Sequence, residues 1–377
     1  MRIAYCLSYL WNSGGVDRVI SVKANYLADV LGYDVAIITT DQHDRQPYFA
    51  LSPRVQLIDL GVNYTDATNS LVAKFTKTMA KRHQHRKRLD AVLAELKPDI
   101  TIAVTRRELP IVYKLRNGGI RLAERHMNKN CRFQEKTNPL SAHLRGAITR
   151  QEETWVSHDT RCITLTDEDK SCWRNQDNIA VIPNPITISA SPLAHYEQKH
   201  VLAVGRISYE KGYDRLIEAW AKVTKQFPEW VLTIVGATDD LNEVAKVRRL
   251  IEALQLRTVQ IMPPSPDIVR YYRESSLLVL SSRYEGLPLV LLEAMSCGLP
   301  CISFNCPCGP KDVISDGIDG RLVSNGDIDA LAEAMIQLMS DKTKRERMGA
   351  AALVKSQQYS LPTIMTRWDS LFKELAK

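Results

Sequence analysis

No part of this 377-residue chain is apolar for long enough to cross a bilayer, which takes about 20 such residues in a helix. An integral helical membrane protein is therefore not expected. The chain holds no G-x-G-x-x-G, which argues against a dinucleotide-binding dehydrogenase. Its eight cysteines include no C-x2-C pair, so the crowding of Cys297, Cys301, Cys306 and Cys308 is a poor match to a zinc site. Cys297 ends an apolar helical run and Cys301 opens the strand CISF, where a free thiol behaves as a small hydrophobe. There is no short-period repeat and no low-complexity linker. The opening MRIAYCLSYLW reads as a strand; a lone Arg2 without a long apolar run or cleavage site makes a poor signal peptide. A cytosolic protein is expected.

What is present is ordinary globular composition, 45% hydrophobic and 25% charged, at a length that favours two domains over one core. The net charge of +7 is uneven. Residues 1–190 hold 27 Lys and Arg against 20 Asp and Glu, whereas residues 191–377 hold 23 of each. The excess centres on KFTKTMAKRHQHRKR, Lys74 to Arg88, with seven basic residues, two histidines and no acid.

Apolar, β-rich runs alternate with helical patterns throughout, the sign of βα units around mostly parallel sheets. Strands are expected at Ile3–Leu7, Val35–Thr39, Val55–Leu60, Ile100–Val104, Ile120–Ala123, Arg161–Leu165 and Ile179–Ile182. The second half adds Val201–Val204, Val231–Val235, Val259–Met262, Leu277–Leu280, Cys301–Phe304 and Arg321–Val323. Between the first two strands, Val16, Ile20, Ala24, Leu27 and Leu31 line one helical face, and Gly32 stops it. A longer helix covers Leu71 to Leu96, and a last one runs from about Leu361 to Leu375. The prolines of VIPNPI break regular structure at Pro183 and Pro185, placing domains at 1–184 and 185–358, with 359–377 as a terminal helix.

Chemistry concentrates in the second half. In EGLPLVLLEAM, Glu285 and Glu293 stand eight residues apart. Pro288 suits the first helical position, so the N–H groups of Leu289 and Val290, with Gly286 just before them, form a helix start that favours an anion. Glu293 falls on an otherwise apolar helix, where an unpaired carboxylate is costly. A buried helix with one satisfied core glutamate is the plain alternative. Upstream, GRISYEKG puts Arg206 and Lys211 on a glycine turn after a strand, and open α/β sheets gather ligands at that carboxyl edge. Two cations and a helix start suit a diphosphate. In the first half, Gly14 and Gly15 open the first long helix, again a place for an anion. The acids of Asp167–Asp169 and Asp327–Asp329 start helices and read as caps, not as a D-x-D metal site.

GRISYEKG followed by SRYEGLPLVLLEAMSCGLPCI resembles the retaining glycosyltransferase family 4, which has the GT-B architecture of two Rossmann-like doubly wound α/β domains facing across a cleft. The CGPKDVISDG segment around Gly309 and Pro310 is similar to bacterial members that extend surface polysaccharides or lipid-linked oligosaccharides. The resemblance implies an acceptor-binding first domain, a nucleotide-sugar-binding second domain and a final helix crossing back to the first. It implies that Arg206 and Lys211 hold the donor diphosphate with the N–H groups of Leu289 and Val290. Glu293 would take the ribose hydroxyls, Glu285 would meet the sugar ring, and His126 would lie near the donor sugar with Arg125 and Asn128 beside it. No metal and no other cofactor is implied. Where the family turns on a glycine near the base, this chain has Pro263 and Pro264; UDP comes first and GDP second. Front-side displacement and a covalent adduct both remain open.

Leu71, Phe75 and Met79 repeat at helical spacing beside the cations of Lys74–Arg88. The helix could meet an anionic membrane surface, grip a lipid-linked acceptor's phosphates, or be a solvated basic face. A nucleic-acid binder would interleave aromatics with the cations, and only Phe75 does so; no nucleic-acid partner is expected. The enzyme alternative is another GT-B member such as a nucleotide-sugar epimerase.

Overall fold

The computed structural model describes residues 1–64, 71–129, 153–154, 156, 160–188 and 194–377, with the backbone alone for 71–77 and 160. The chain divides into two units, 1–185 with 364–377, and 186–363.

The first unit holds seven strands, β1 (Arg2–Leu7), β2 (Asp34–Thr39), β3 (Val55–Asp59), β4 (Ile100–Ala103), β5 (Ile120–Glu124), β6 (Thr160–Thr164) and β7 (Ile179–Val181). They form one sheet in the order β3-β2-β1-β4-β5-β6-β7, and every pairing is parallel. The continuous apolar runs of Ile3–Leu7 and Ile100–Ala103 follow from that, since a parallel sheet buries both faces. Among the described residues it is accompanied by α1 (Gly15–Asp29), α2 (Leu71–Leu96) and the short α3 (Leu109–Val112) and α4 (Asp167–Ser171).

The second unit holds six strands, β8 (His200–Val204), β9 (Val231–Val235), β10 (Val259–Met262), β11 (Leu277–Leu280), β12 (Cys301–Asn305) and β13 (Gly320–Ser324). Their order is β10-β9-β8-β11-β12-β13, again all parallel. Its helices are α5 (Tyr213–Val223), α6 (Leu241–Ala253), α7 (Ile268–Arg273), α8 (Leu289–Ser296), α9 (Pro310–Val313), α10 (Ile328–Ser340) and α11 (Lys342–Ser356). Leu216, Trp220, Ile234, Phe304 and Met335 sit in its core with no exposed surface. A final helix, α12 (Leu361–Leu375), brings the chain back to the first unit from residue 364. There it packs Ile364, Trp368 and Phe372, and Tyr33 donates to Asp369 at 2.5 Å.

The strands fall where the apolar runs place them, and both units have the Rossmann-like order with a reversal beside the first strand. Four local expectations change. Pro288 is the cap of α8, with extended backbone (ψ 95°), and the helix starts at Leu289. Asp327 does cap α10 through the N–H of Ala330, whereas at α4 the cap is Thr166, whose hydroxyl accepts from Asp169. Asp169 turns inward and accepts the N–H of Lys129 at 2.6 Å. The basic run on α2 is not one solvated face. His85 is buried between Tyr64 (Nδ1 3.2 Å from its hydroxyl) and Glu108 (Nε2 3.0 Å from its carboxylate). Lys81 reaches the carbonyl of Asn63 and Arg88 that of Gly61. Arg82, His83, Arg86 and Lys87 stay exposed with Met79, while the side chains of Leu71, Lys74, Phe75 and Lys77 lie outside the described residues. Among the described residues no helix is long and apolar enough to cross a membrane.

Candidate functional site

In a doubly wound sheet, the loops at the carboxyl ends part where the strand order reverses, and ligands bind in that crevice. In the second unit the reversal lies between β8 and β11. The loop after β8 carries Arg206 and Lys211, and the loop after β11 carries Glu285 and leads into α8. Sequence order thus delivers the glycine-turn cations and the two-glutamate segment to one edge.

Two glycines make the close approach possible. Gly212, at φ +63°, ends the turn that holds Lys211, and an added Cβ there would lie 2.2 Å from the Ser281 carbonyl. Gly309, at φ +105°, lets the loop after β12 pack on the start of α8, where a Cβ would meet Pro288 at 2.6 Å. The Ser281 hydroxyl donates to the Lys211 carbonyl at 2.9 Å, which ties the first two loops together. Beneath them Arg283 grips Asp214 with both terminal nitrogens, at 3.0 and 2.7 Å. Burial pushes the Asp214 carboxyl up, but Arg283 and Lys246 outweigh it and bring the pKa down to about 2.

On this scaffold Lys211 Nζ donates to Glu285 Oε1 at 2.8 Å, with their side chains 20% and 9% exposed. The Ser282 hydroxyl donates to the same oxygen at 2.5 Å. Arg206 is far more open, 66% exposed, and meets Glu210 at 3.4 Å. The free N–H groups at the start of α8 follow from helix geometry, and Leu289 and Val290 are half-buried there. Gly286 lies in the same loop, its carbonyl near Gly309.

Glu293 is placed differently from its neighbours. It is 3% exposed, accepts from the Tyr272 hydroxyl at 2.8 Å, and receives the Thr187 hydroxyl at 3.3 Å. Tyr272 and Thr187 are thus among the polar groups that satisfy it.

In the first unit the reversal lies between β1 and β4. Gly14 caps α1 with φ −70°, an extended backbone open to any residue, so glycine's special freedom is not used there. The anion at that helix start is the chain's own Asp17, whose carboxylate accepts the N–H of Asn12 at 3.2 Å. Burial raises the Asp17 pKa to about 6, against the pull of its backbone hydrogen bonds. Gly15 is the first residue of the helix proper.

His126 follows β5, and its side chain is almost wholly buried. Its Nε2 lies 3.1 Å from Glu124 Oε1. The same carboxylate takes Lys23 Nζ at 2.5 Å, both groups being 1% exposed. Trp368 of α12 covers Lys23, its ring centroid 3.6 Å from Nζ. Burial pushes the Glu124 carboxyl up, yet Lys23 and His126 prevail and take it down to about 2. Arg125 is buried over Trp173, and Asn128 is buried beside it in sequence.

Sequence reasoning did not find Ser282, Tyr272, Thr187, Lys23 or Glu124. Lys23 left a readable trace, because it falls on the stripe of Ile20, Ala24 and Leu27, where a lysine needs a buried partner. The cysteines gather no metal-binding constellation among the described residues. Burial lifts Cys297 to about 11.

Residues 186–354 match the family described as glycosyl transferases group 1, nearly all of the second unit. The chain is similar to an uncharacterized glycosyltransferase of Haemophilus influenzae, 28% identical over 98% of this chain and 99% of that one. It is also similar to the amylovoran biosynthesis glycosyltransferase AmsD of Erwinia amylovora, 28% identical over 96% of each. Among solved structures, S. aureus TarM in complex with UDP and α-GlcNAc-glycerol superposes with a TM-score of 0.80 at 16% identity, covering 99% of this chain and 100% of that one. The fold is the GT-B fold, with two Rossmann-like domains. These similarities support a glycosyltransferase, and the named relatives are bacterial.

Proposed function

We propose that the protein is a retaining glycosyltransferase that moves a sugar from a nucleotide-sugar, a UDP-sugar first, onto a lipid-linked or polysaccharide-precursor acceptor. The observation that carries this reading is the 2.8 Å contact between Lys211 and Glu285 at the reversal of the second sheet. It brings a cation suited to a diphosphate and a carboxylate suited to a sugar ring to one point of that edge. The donor diphosphate lies on Lys211 and Arg206 and on the N–H groups of Leu289 and Val290. When the anomeric C–O bond breaks, its electron pair goes to the diphosphate, and donors already aimed there stabilise the transition state. Glu285 faces the positive charge that develops at the anomeric carbon. The acceptor hydroxyl passes its proton to the departing diphosphate oxygen as its own oxygen bonds that carbon.

Glu293, on the next turn of α8, exchanges the Thr187 hydroxyl for a ribose hydroxyl while Tyr272 keeps its other oxygen in place. The first unit takes the acceptor, and within that unit Glu124 holds His126 at 3.1 Å. UDP in the TarM structure and amylovoran biosynthesis in the AmsD name support the choice of donor and acceptor. No metal takes part: chelation leaves full activity, and rescue by Mn²⁺ or Mg²⁺ alone would reverse this point.

The exposed cations of α2 hold the enzyme on the cytoplasmic face of an anionic membrane, each contributing about 1 kcal/mol near the surface. Flotation with anionic liposomes at physiological salt tests this, and absence of binding removes it. For the function itself, the protein is screened by thermal shift against UDP- and GDP-sugars, since a bound donor raises stability by mass action. The best donor is then incubated with and without acceptors. An epimer formed without acceptor assigns the protein to the epimerases instead.

A further inference from the structure

The loop after β1 lies at the strand-order reversal of the first sheet, where a ligand belongs, and it presents aromatic faces. Tyr9 and Trp11 stack at 4.6 Å with their planes 27° apart. The Arg45 guanidinium lies 4.5 Å above the Trp11 ring. This arrangement is held in place. Trp11 Nε1 donates to the Asp41 carbonyl at 2.9 Å. Buried Gln42 accepts the Leu10 N–H at 3.0 Å and donates to the Arg45 carbonyl at 2.7 Å. The turn that sets Arg45 over the ring passes through His43 and Asp44, both left-handed at φ 54° and 55°. A non-glycine pair keeps such a conformation only where its surroundings fix it. Beside them, exposed Tyr48 meets Phe49 edge-on at 5.0 Å.

The other arginines of this edge are occupied. Arg107 pairs with Asp41 at 2.8 Å, and Arg106 donates to the Lys129 carbonyl at 3.1 Å. Arg45 is exposed and makes no ion pair among the described residues. A guanidinium over an indole still has N–H donors for a carboxylate or phosphate.

We propose that this edge binds an anionic saccharide, with a sugar ring stacked on the Tyr9–Trp11 pair and its acidic group on Arg45. The inference rests on the transferase reading above and narrows its acceptor to a glycan bearing a carboxylate or a phosphate.

Tryptophan fluorescence titrations test it with trigalacturonate, glucose 6-phosphate and neutral maltotriose, on the wild type, Arg45→Met and Tyr9→Leu. One of the two anionic probes binds the wild type at least about tenfold more tightly than maltotriose, the effect of one charge-assisted contact. Which one it is separates carboxylate from phosphate. Arg45→Met abolishes the preference, and Tyr9→Leu weakens the anionic and neutral probes alike. Equal affinity for all three probes, or a preference that survives Arg45→Met, overturns the proposal. A parallel UDP titration reads the donor site: its affinity stays the same in all three proteins. Failure of UDP to bind the wild type would sink the transferase reading while leaving the saccharide result to stand or fall by itself.

Discussion

The two sheets share one strand order and one kind of edge, yet they use charge in opposite ways. At the reversal of the second sheet, the charged groups are near the surface: Arg206 is mostly exposed, and Lys211 and Glu285 are partly so. In the first unit the ion pair of Lys23 with Glu124 is sealed in. What that edge leaves open is aromatic rings and an arginine. An open ion can meet a small anion, whereas a sealed one fixes the fold. The comparison teaches where mutations will be felt. The sealed pair of the first unit, Lys23 with Glu124, acts on stability, and the more open pair of the second, Lys211 with Glu285, acts on turnover.

The largest expected effect breaks that comparison if it fails. Lys23→Met leaves Glu124 buried without its cation and costs about 3–5 kcal/mol in urea unfolding. Adding Glu124→Gln to it restores much of the loss. Unchanged stability with lost activity would move Lys23 to the functional side. Next comes Lys211→Ala, which lowers turnover by about 10²–10³-fold, as loss of one preorganised donor does, with little change in melting temperature. A drop in stability comparable to that of Lys23→Met would erase the contrast.

Glu293→Ala sharpens the boundary between the two behaviours. It weakens donor affinity, and it also removes the carboxylate that accepts from the buried Tyr272 hydroxyl, costing roughly 1–3 kcal/mol. Tyr272→Phe shows only a stability loss if Glu293 contacts the donor directly. The last contrast is in pH. Glu124 titrates near 2 in the folded protein against 4.5 unfolded, so the stability it contributes is present above pH 4.5 and is lost as pH falls toward 2. Asp17 has the opposite sign: its folded pKa of about 6 exceeds 3.8, so its contribution is present below pH 3.8 and lost as pH rises through 6. Unfolding curves of Asp17→Asn lack that second slope.

Much of the fold was legible because the strands of a parallel sheet are buried on both faces and read as unbroken apolar runs. The bounds of α2 and α12 were equally plain from their 3.6-residue pattern. The site was legible in part. Lys211 and Glu285 stand 74 residues apart, yet each sits in a loop that follows a strand, so topology alone sends both to one edge. The partners of Glu293 were not legible, since Thr187 comes from 106 residues away and carries no local mark. Gly14 and Gly15 point to an outside anion at α1, yet an acid in a helix's first turn, here Asp17, is a ready occupant for its dipole. Pro288 was misplaced by one position, a shift that cap geometry decides and composition does not.

The most direct test is a crystal structure of the protein with UDP. The account predicts diphosphate oxygens about 3 Å from Lys211 Nζ and from the N–H groups of Leu289 and Val290. UDP bound with its phosphates away from both would contradict it.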